Sequence, residues 1–133
     1  MMGDQIGEGQ GKRTGRRVLC TEPSYRVEVS FEDTTTLLGV TGMTIGTYVS
    51  GPKPDGSLDG VGEGVWATAD GDMVTWKGIG IGHFKAGGAV SYRGCLSYRT
   101  TSAKLAKLNG MAGVFEFEVD PDGTTHSKLW EWK

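Results

Sequence analysis

The chain has 133 residues, enough for one domain with one hydrophobic core, and its 14 basic and 16 acidic residues give a formal net charge of −2. This balance excludes the strong positive field with which proteins hold nucleic acid or an anionic membrane surface, and no apolar run approaches the ~20 residues of a membrane span. The 23 glycines follow no three-residue period and lie within β-prone runs, which excludes collagen and a flexible linker. We therefore expect no nucleic-acid partner and no membrane partner.

Residues 1–14 are polar, glycine-rich and without an apolar period. We expect them to form a flexible tail ahead of a domain that spans residues 15–133. The stretch "GQGKRT" is similar to a phosphate-binding loop, but the first glycine of that motif would fall on Ile6, and Arg13 follows the lysine. We interpret the segment as a flexible basic arm.

From Arg17 onward the pattern predicts one strand after another. "RVLCTEPSYRVEVSFE" alternates polar and apolar residues, with Val27, Val29 and Phe31 on one face. "TTTLLGVTGMTIGTYVS" is too rich in threonine and glycine for a helix. "SAKLAKLNG" is the only helix-like segment, and it predicts a short helical turn near residues 102–108.

The fold class that follows is all-β, with a single antiparallel meander of about eight strands. Such a sheet removes its exposed edges by closing into a barrel, and glycines within strands allow the strong bending that closure needs. An open sandwich of two sheets is the alternative.

The stretch from Gly60 to Gly82 predicts a hairpin. If Asp70–Gly71 is a two-residue turn, Ala69 pairs with Asp72 and the register follows. The less polar face is then the interior. It carries Val61, Glu63, Val65 and Ala67 opposite Gly80, Gly78, Trp76 and Val74.

Glu63 would then point inward beside Gly78, with Val65 and Trp76 as neighbours. A carboxylate there is costly to bury unless it is paired, hydrogen-bonded or protonated. Glu63 would either accept hydrogen bonds from a buried Arg or Tyr, or line a ligand cavity. A different register would turn it toward water.

The next predicted strand, "SYRGCLSYR", has two faces. A three-residue loop before it would put Tyr92 and Tyr98 inside, whereas a four-residue loop would put Arg93 inside. The tyrosine face is more apolar, so we expect it to be the interior.

The last two predicted strands add further candidates. Phe115 and Phe117 belong to the core face, and the glutamates between and after them face solvent. Trp130 and Trp132 share one face, either inward as part of the barrel floor or outward as part of a subunit interface.

No Cys, His or carboxylate spacing indicates a metal site, and no glycine-rich motif indicates a nucleotide site, so we expect no metal and no cofactor. Cys20 and Cys95 are not preceded by a secretory signal, which favours two reduced thiols in a cytoplasmic protein.

The segment "KLNGMAGVFEFEVDPDG" and the glycine-bent strands resemble the small eight-stranded barrels of the allene oxide cyclase-like superfamily, which includes dirigent proteins. Where those barrels carry Gly-Gly-Thr-Gly, this chain has Asn109 to Gly113, "NGMAG". The resemblance covers residues 25–132. It implies a closed meander barrel with a mainly apolar cavity, assembled as a homodimer or homotrimer.

Two functions follow as hypotheses, and whether the protein is an enzyme stays open. It could bind a small, mostly apolar ligand, with Glu63 as the polar anchor, or it could be a cyclase or isomerase with Glu63 as the base. A filled barrel that only binds other proteins is a third alternative. The predicted ligand-binding residues are Glu63, Val65, Trp76, Tyr92, Tyr98, Phe115 and Phe117.

Overall fold

The computed structural model describes residues 1–133 as eight antiparallel strands that close into one barrel, each paired with its neighbours in chain order. The strands are β1 (Met2–Cys20), β2 (Arg26–Leu37), β3 (Val40–Pro52), β4 (Leu58–Ala67), β5 (Met73–Phe84), β6 (Val90–Thr100), β7 (Ala112–Val119) and β8 (Thr124–Trp132). The prediction of a single all-β meander barrel is confirmed, and the sandwich alternative is excluded. The structure contains no helix that could span a membrane.

The prediction of a flexible tail over residues 1–14 is wrong, because β1 begins at Met2 and pairs with both β2 and β8. Three successive inward positions at its centre are glycines, Gly7, Gly9 and Gly11, so this part of the strand shows no apolar period. A Cβ at Gly9 would lie 2.9 Å from the Ser127 hydroxyl. These glycines leave room for side chains of β2 and β8, and the barrel domain therefore starts at residue 2 rather than 15.

Inward positions elsewhere combine glycines with large aromatic residues. A Cβ at Gly46 would lie 2.5 Å from the Phe31 ring, and one at Gly64 would collide with the indole of Trp76. The rings thus occupy the space that the missing side chains leave, as expected where glycine lies within a strand and another group approaches closely.

One end of the barrel is closed by a 3₁₀ helix, Ala103–Gly110, which confirms the helical turn predicted near 102–108. The Asn109 side-chain amide accepts from the Thr100 N–H at 2.8 Å and donates to the Thr100 carbonyl at 3.0 Å, tying the helix to the end of β6. Two leucines of the helix complete an apolar cluster at this end. The cluster comprises Ile6, Leu37, Trp66, Val74, Tyr98, Leu105, Leu108 and Met111.

The β4–β5 turn is one residue longer than predicted. The Thr68 N–H donates to the Asp72 carbonyl at 2.9 Å, and the Gly71 N–H donates to the Thr68 carbonyl at 3.1 Å. Gly71 has a positive φ of 91°, but Asp70 does not. A two-residue type I′ turn would require positive φ at both, so the hairpin uses a three-residue loop instead.

This one-residue difference reverses the faces of β4. Ala67 pairs with Met73, and Glu63 pairs with Lys77 on the outside of the barrel. The prediction that Glu63 and Val65 point inward is therefore wrong, since a shift of one residue moves every side chain of a strand to the opposite face. The inward residues of β4 are Leu58, Gly60, Gly62, Gly64 and Trp66.

The β5–β6 loop closes through a bond from the Lys85 N–H to the Ala89 carbonyl at 2.7 Å. The loop therefore has three residues, and Tyr92 lies opposite Gly82. Tyr92 and Tyr98 are buried, as predicted, and the Arg93 side chain is exposed.

Candidate functional site

The structure brings together five of the seven predicted ligand-binding residues and leaves two outside. Glu63 and Val65 lie on the exposed face of β4. The other five line the barrel interior; they are Trp76, Tyr92, Tyr98, Phe115 and Phe117.

The interior contains a cavity of about 110 Å³. Most of its lining is apolar or aromatic, interrupted by a few polar residues of β2, β3 and β8. The lining consists of Phe31, Asp33, Thr35, Leu37, Thr44, Tyr48, Gly60, Gly62, Trp66, Trp76, Gly78, Gly80, Tyr92, Leu96, Tyr98, Phe115, Phe117, Ser127 and Leu129.

Aromatic rings of five strands contact one another along this cavity. The ring centroid of Phe31 lies 5.0 Å from that of Phe117 and 6.3 Å from that of Trp76. Tyr48 packs edge-on against Tyr92 at 5.5 Å. These distances are typical of favourable tilted and edge-to-face pairs, so the rings form a continuous aromatic wall.

The phenol hydroxyls differ in their partners. The Tyr92 hydroxyl donates to the Ser50 hydroxyl at 2.9 Å, and that hydroxyl donates to the Asp59 carbonyl at 2.7 Å. The buried Tyr98 hydroxyl has no hydrogen-bond partner in the protein. Burial raises the pKa of Tyr48, Tyr92 and Tyr98, so all three phenols stay neutral at physiological pH.

Asp33 is the carboxyl that the sequence prediction missed. It is 5% exposed, lines the cavity from β2, and lies opposite Gly11 on β1 and Thr44 on β3. The Thr35 hydroxyl donates to Asp33 Oδ1 at 2.6 Å. Asp33 therefore occupies the role that the sequence had suggested for Glu63, an inward carboxyl among apolar walls.

Desolvation by burial raises the pKa of Asp33, and hydrogen bonds from Thr35 and Thr44 oppose that rise. No basic side chain forms an ion pair with it. The inward period of β2 through Val29 and Phe31 continues directly to Asp33. Extending the same alternation by two residues would have found it.

We expect Asp33→Asn to stabilise the protein at neutral pH by about 1 kcal/mol, because it removes a buried, unpaired charge and keeps an acceptor for Thr35. The folded state binds the Asp33 proton more tightly than the unfolded state does. The contribution of Asp33 to the free energy of unfolding of the wild-type protein is therefore greatest below its ordinary pKa of 3.8. It declines as the pH rises through the raised pKa of the folded state. Urea unfolding of both proteins between pH 3 and pH 8 measures the difference.

The matched control is Glu63→Gln on the exposed face, which should change the free energy of unfolding by less than about 0.5 kcal/mol. If Asp33→Asn raises the free energy of unfolding equally at pH 3 and at pH 7, Asp33 is not the buried, unpaired carboxyl described here.

The outer surface carries the remaining candidates. Glu118 accepts from the Arg93 guanidinium at 2.7 Å, and Glu116 lies 3.9 Å from it, so both glutamates face solvent as predicted. Trp130 and Trp132 pair with the outward residues Val114 and Ala112, and both therefore belong to the outer surface. The thiols of Cys20 and Cys95 are free and exposed.

No protein-family model matches the chain, and no curated protein matches it in sequence. Solved structures share the fold at low identity. A protein of unknown function from Clostridium acetobutylicum ATCC 824 has a TM-score of 0.84 at 12% identity, covering 98% of both chains. A β-barrel-like protein from Acinetobacter baumannii AYE has a TM-score of 0.82 at 13% identity, covering 100% of this chain and 96% of that one. A conserved protein of unknown function from Rhodopseudomonas palustris has a TM-score of 0.79 at 10% identity, covering 99% of both. These likenesses show the barrel fold.

Proposed function

We propose that this protein binds one small, mostly apolar ligand inside its barrel. The observation that carries the proposal is the aromatic-lined cavity of about 110 Å³ with a single carboxyl, Asp33, in its wall. Ligand pockets typically combine apolar walls with a few placed polar groups that fix orientation. A dry apolar cavity of about 150 Å³ accommodates benzene. At about 110 Å³ this cavity is smaller, which limits its occupant to one small ring or a short branched chain.

Occupation of the cavity can be tested with benzene as the probe, followed through the methyl NMR signals of Leu96 and Leu129, which line the cavity. We expect saturable shifts at both leucines in the wild-type protein. Leu96→Phe fills the cavity and should abolish the shift at Leu129, which remains as the reporter in this variant. Ser97→Phe adds the same ring to the exposed face of the same strand and should leave both shifts intact.

The proposal fails if benzene shifts only outer methyl groups such as those of Val61 and Ile79, or if Leu96→Phe binds it as the wild type does. If both leucines report saturable binding, native mass spectrometry of protein purified from its own host would identify the ligand that occupies the cavity naturally.

A cyclase or isomerase is the second candidate, and the burial and raised pKa of Asp33 favour it. A buried carboxyl with a raised pKa can act as a general acid in its protonated form and as a base in its ionised form. The exposed Glu63 cannot act inside the barrel, so the acid–base role passes to Asp33. If the protein is an isomerase, the compound released from the wild-type protein on denaturation should be the product, and that released from Asp33→Asn the unconverted substrate. The two compounds would have equal mass but different chromatographic retention.

The resemblance to allene oxide cyclase-like barrels supports the same pair of functions, and we propose membership of that superfamily on this basis. We also propose a cytoplasmic location, supported by the two free thiols. Exposed apolar residues on the outer faces of β3, β4 and β5, including Ile45, Val61 and Ile79, support assembly of identical subunits.

A further inference from the structure

Asp33 is the only charged residue that lines the cavity, and no basic residue lines it. The neighbouring strands bring no titratable group to the carboxyl, since Gly11 and Thr44 lie opposite it. Arg13, opposite Phe31, extends to the β7–β8 turn, where its guanidinium lies beside Gly123. Arg13 and Arg16 act electrostatically on the Tyr48 phenol, but neither lines the cavity and neither pairs with Asp33. Asp33 therefore has no basic partner in the cavity wall.

We propose that the ligand is a small organic cation, an amine or a quaternary ammonium with an apolar body, whose positive charge pairs with Asp33. This inference rests on the proposed interior binding site and specifies its chemical class. Thr35 donates to Asp33 Oδ1, and Thr44 also hydrogen-bonds to this carboxyl, so its orientation is fixed. An ionised carboxylate offers about four acceptor positions, which leaves capacity for a donor from the ligand.

The aromatic wall suits the same ligand. Phe31 is the next inward residue of β2 beyond Asp33, and Trp76 lies 6.3 Å from Phe31 between ring centroids. Trp66, inward on β4, pairs with Thr44, which in turn lies opposite Asp33. The faces of such rings attract cations, most strongly where water is excluded. A cavity this small brings any occupant close to both the carboxyl and the rings.

Binding has a defined proton balance. If Asp33 is protonated in the empty barrel, binding of an ammonium ligand releases the Asp33 proton to solvent. The ligand keeps its own proton. Where Asp33 is already ionised, no proton moves. The only other titratable groups lining the cavity are the phenols of Tyr48, Tyr92 and Tyr98, which stay neutral at physiological pH.

Three isosteric five-membered rings separate the possibilities: pyrrolidine, which is a cation at neutral pH, tetrahydrofuran, which is a neutral acceptor, and cyclopentane, which is apolar. We expect pyrrolidine to bind wild-type protein at least about tenfold more tightly than either neutral ring, the equivalent of about 1.4 kcal/mol. In Asp33→Asn the pyrrolidine affinity should fall at least about tenfold, while the cyclopentane affinity stays within about twofold. The binding of cyclopentane also reports that the variant is folded.

A wild-type pH series gives a second readout that needs no variant. The affinity for pyrrolidine should rise as pH increases through the Asp33 titration, and that for cyclopentane should not. Tetrahydrofuran binding more tightly than pyrrolidine, and best at low pH, would overturn the inference in favour of a protonated Asp33 that donates to a neutral acceptor. Equal binding of all three rings would overturn it while leaving interior binding intact. If none of the three rings binds, both the proposed interior site and this inference fail.

Discussion

Trp66→Ala is expected to lower the free energy of unfolding by about 4 kcal/mol. The Trp66 side chain is 1% exposed and packs in the apolar cluster beneath the 3₁₀ helix. Its indole N–H donates to the Thr35 carbonyl at 3.0 Å. Truncation would remove this bond, leave a buried carbonyl without its donor, and open a large void. Chemical denaturation of the two proteins measures the loss.

Trp132→Ala is the matched control, because Trp132 is 54% exposed at the end of β8. We expect that change to cost less than about 0.5 kcal/mol. The comparison also tests the register of β4, in which Trp66 and Glu63 lie on opposite faces. A loss below about 1 kcal/mol for Trp66→Ala would mean that Trp66 faces water and Glu63 faces inward.

Gly94→Ala is expected to cause the second large loss of stability, through a clash with backbone atoms. A Cβ at this position would collide with the Ile79 carbonyl oxygen and lie 2.7 Å from the Gly80 Cα. Backbone atoms in a closed ladder cannot rotate away as a side chain can, so β5 and β6 would have to separate. We expect a loss of about 3 kcal/mol, at the upper end of ordinary overpacking costs, measured as a shift in the denaturation midpoint.

Gly15→Ala is the control for that experiment, since no atom lies within 4 Å of its Cβ position. It should be neutral or stabilise slightly, because alanine restricts the unfolded chain more than glycine does. Equal effects of the two alanines would show that β5 and β6 are not in the close contact described for them.

Much of the fold could be predicted because apolar alternation and turn chemistry are local signals. Phe115 and Phe117 alternate with glutamates, and that pattern alone assigned their faces correctly. The same signal failed for β1, whose central inward residues are glycines. There the strand is specified by tertiary contacts with side chains of β2 and β8, which no local sequence pattern contains.

The site was harder to predict because it depends on register. An Asp-Gly pair occurs in both two-residue and three-residue hairpin loops, and the difference of one residue decided whether Glu63 or Trp66 entered the barrel. Asp33 continues the face that carries Val27, Val29 and Phe31. Carboxylates are rarely buried, so the local pattern alone does not mark Asp33 as an inward residue.

The pairing of β1 with β8 has a consequence for how the chain is made. Every other strand pair joins neighbours in sequence, but this one joins residue 7 to residue 129. At a synthesis rate of about 5–20 residues per second, β1 waits roughly 5–20 s for its last partner to emerge. Throughout that interval it presents an open edge, and charged side chains along it, such as Glu8 and Lys12, oppose pairing with other nascent chains.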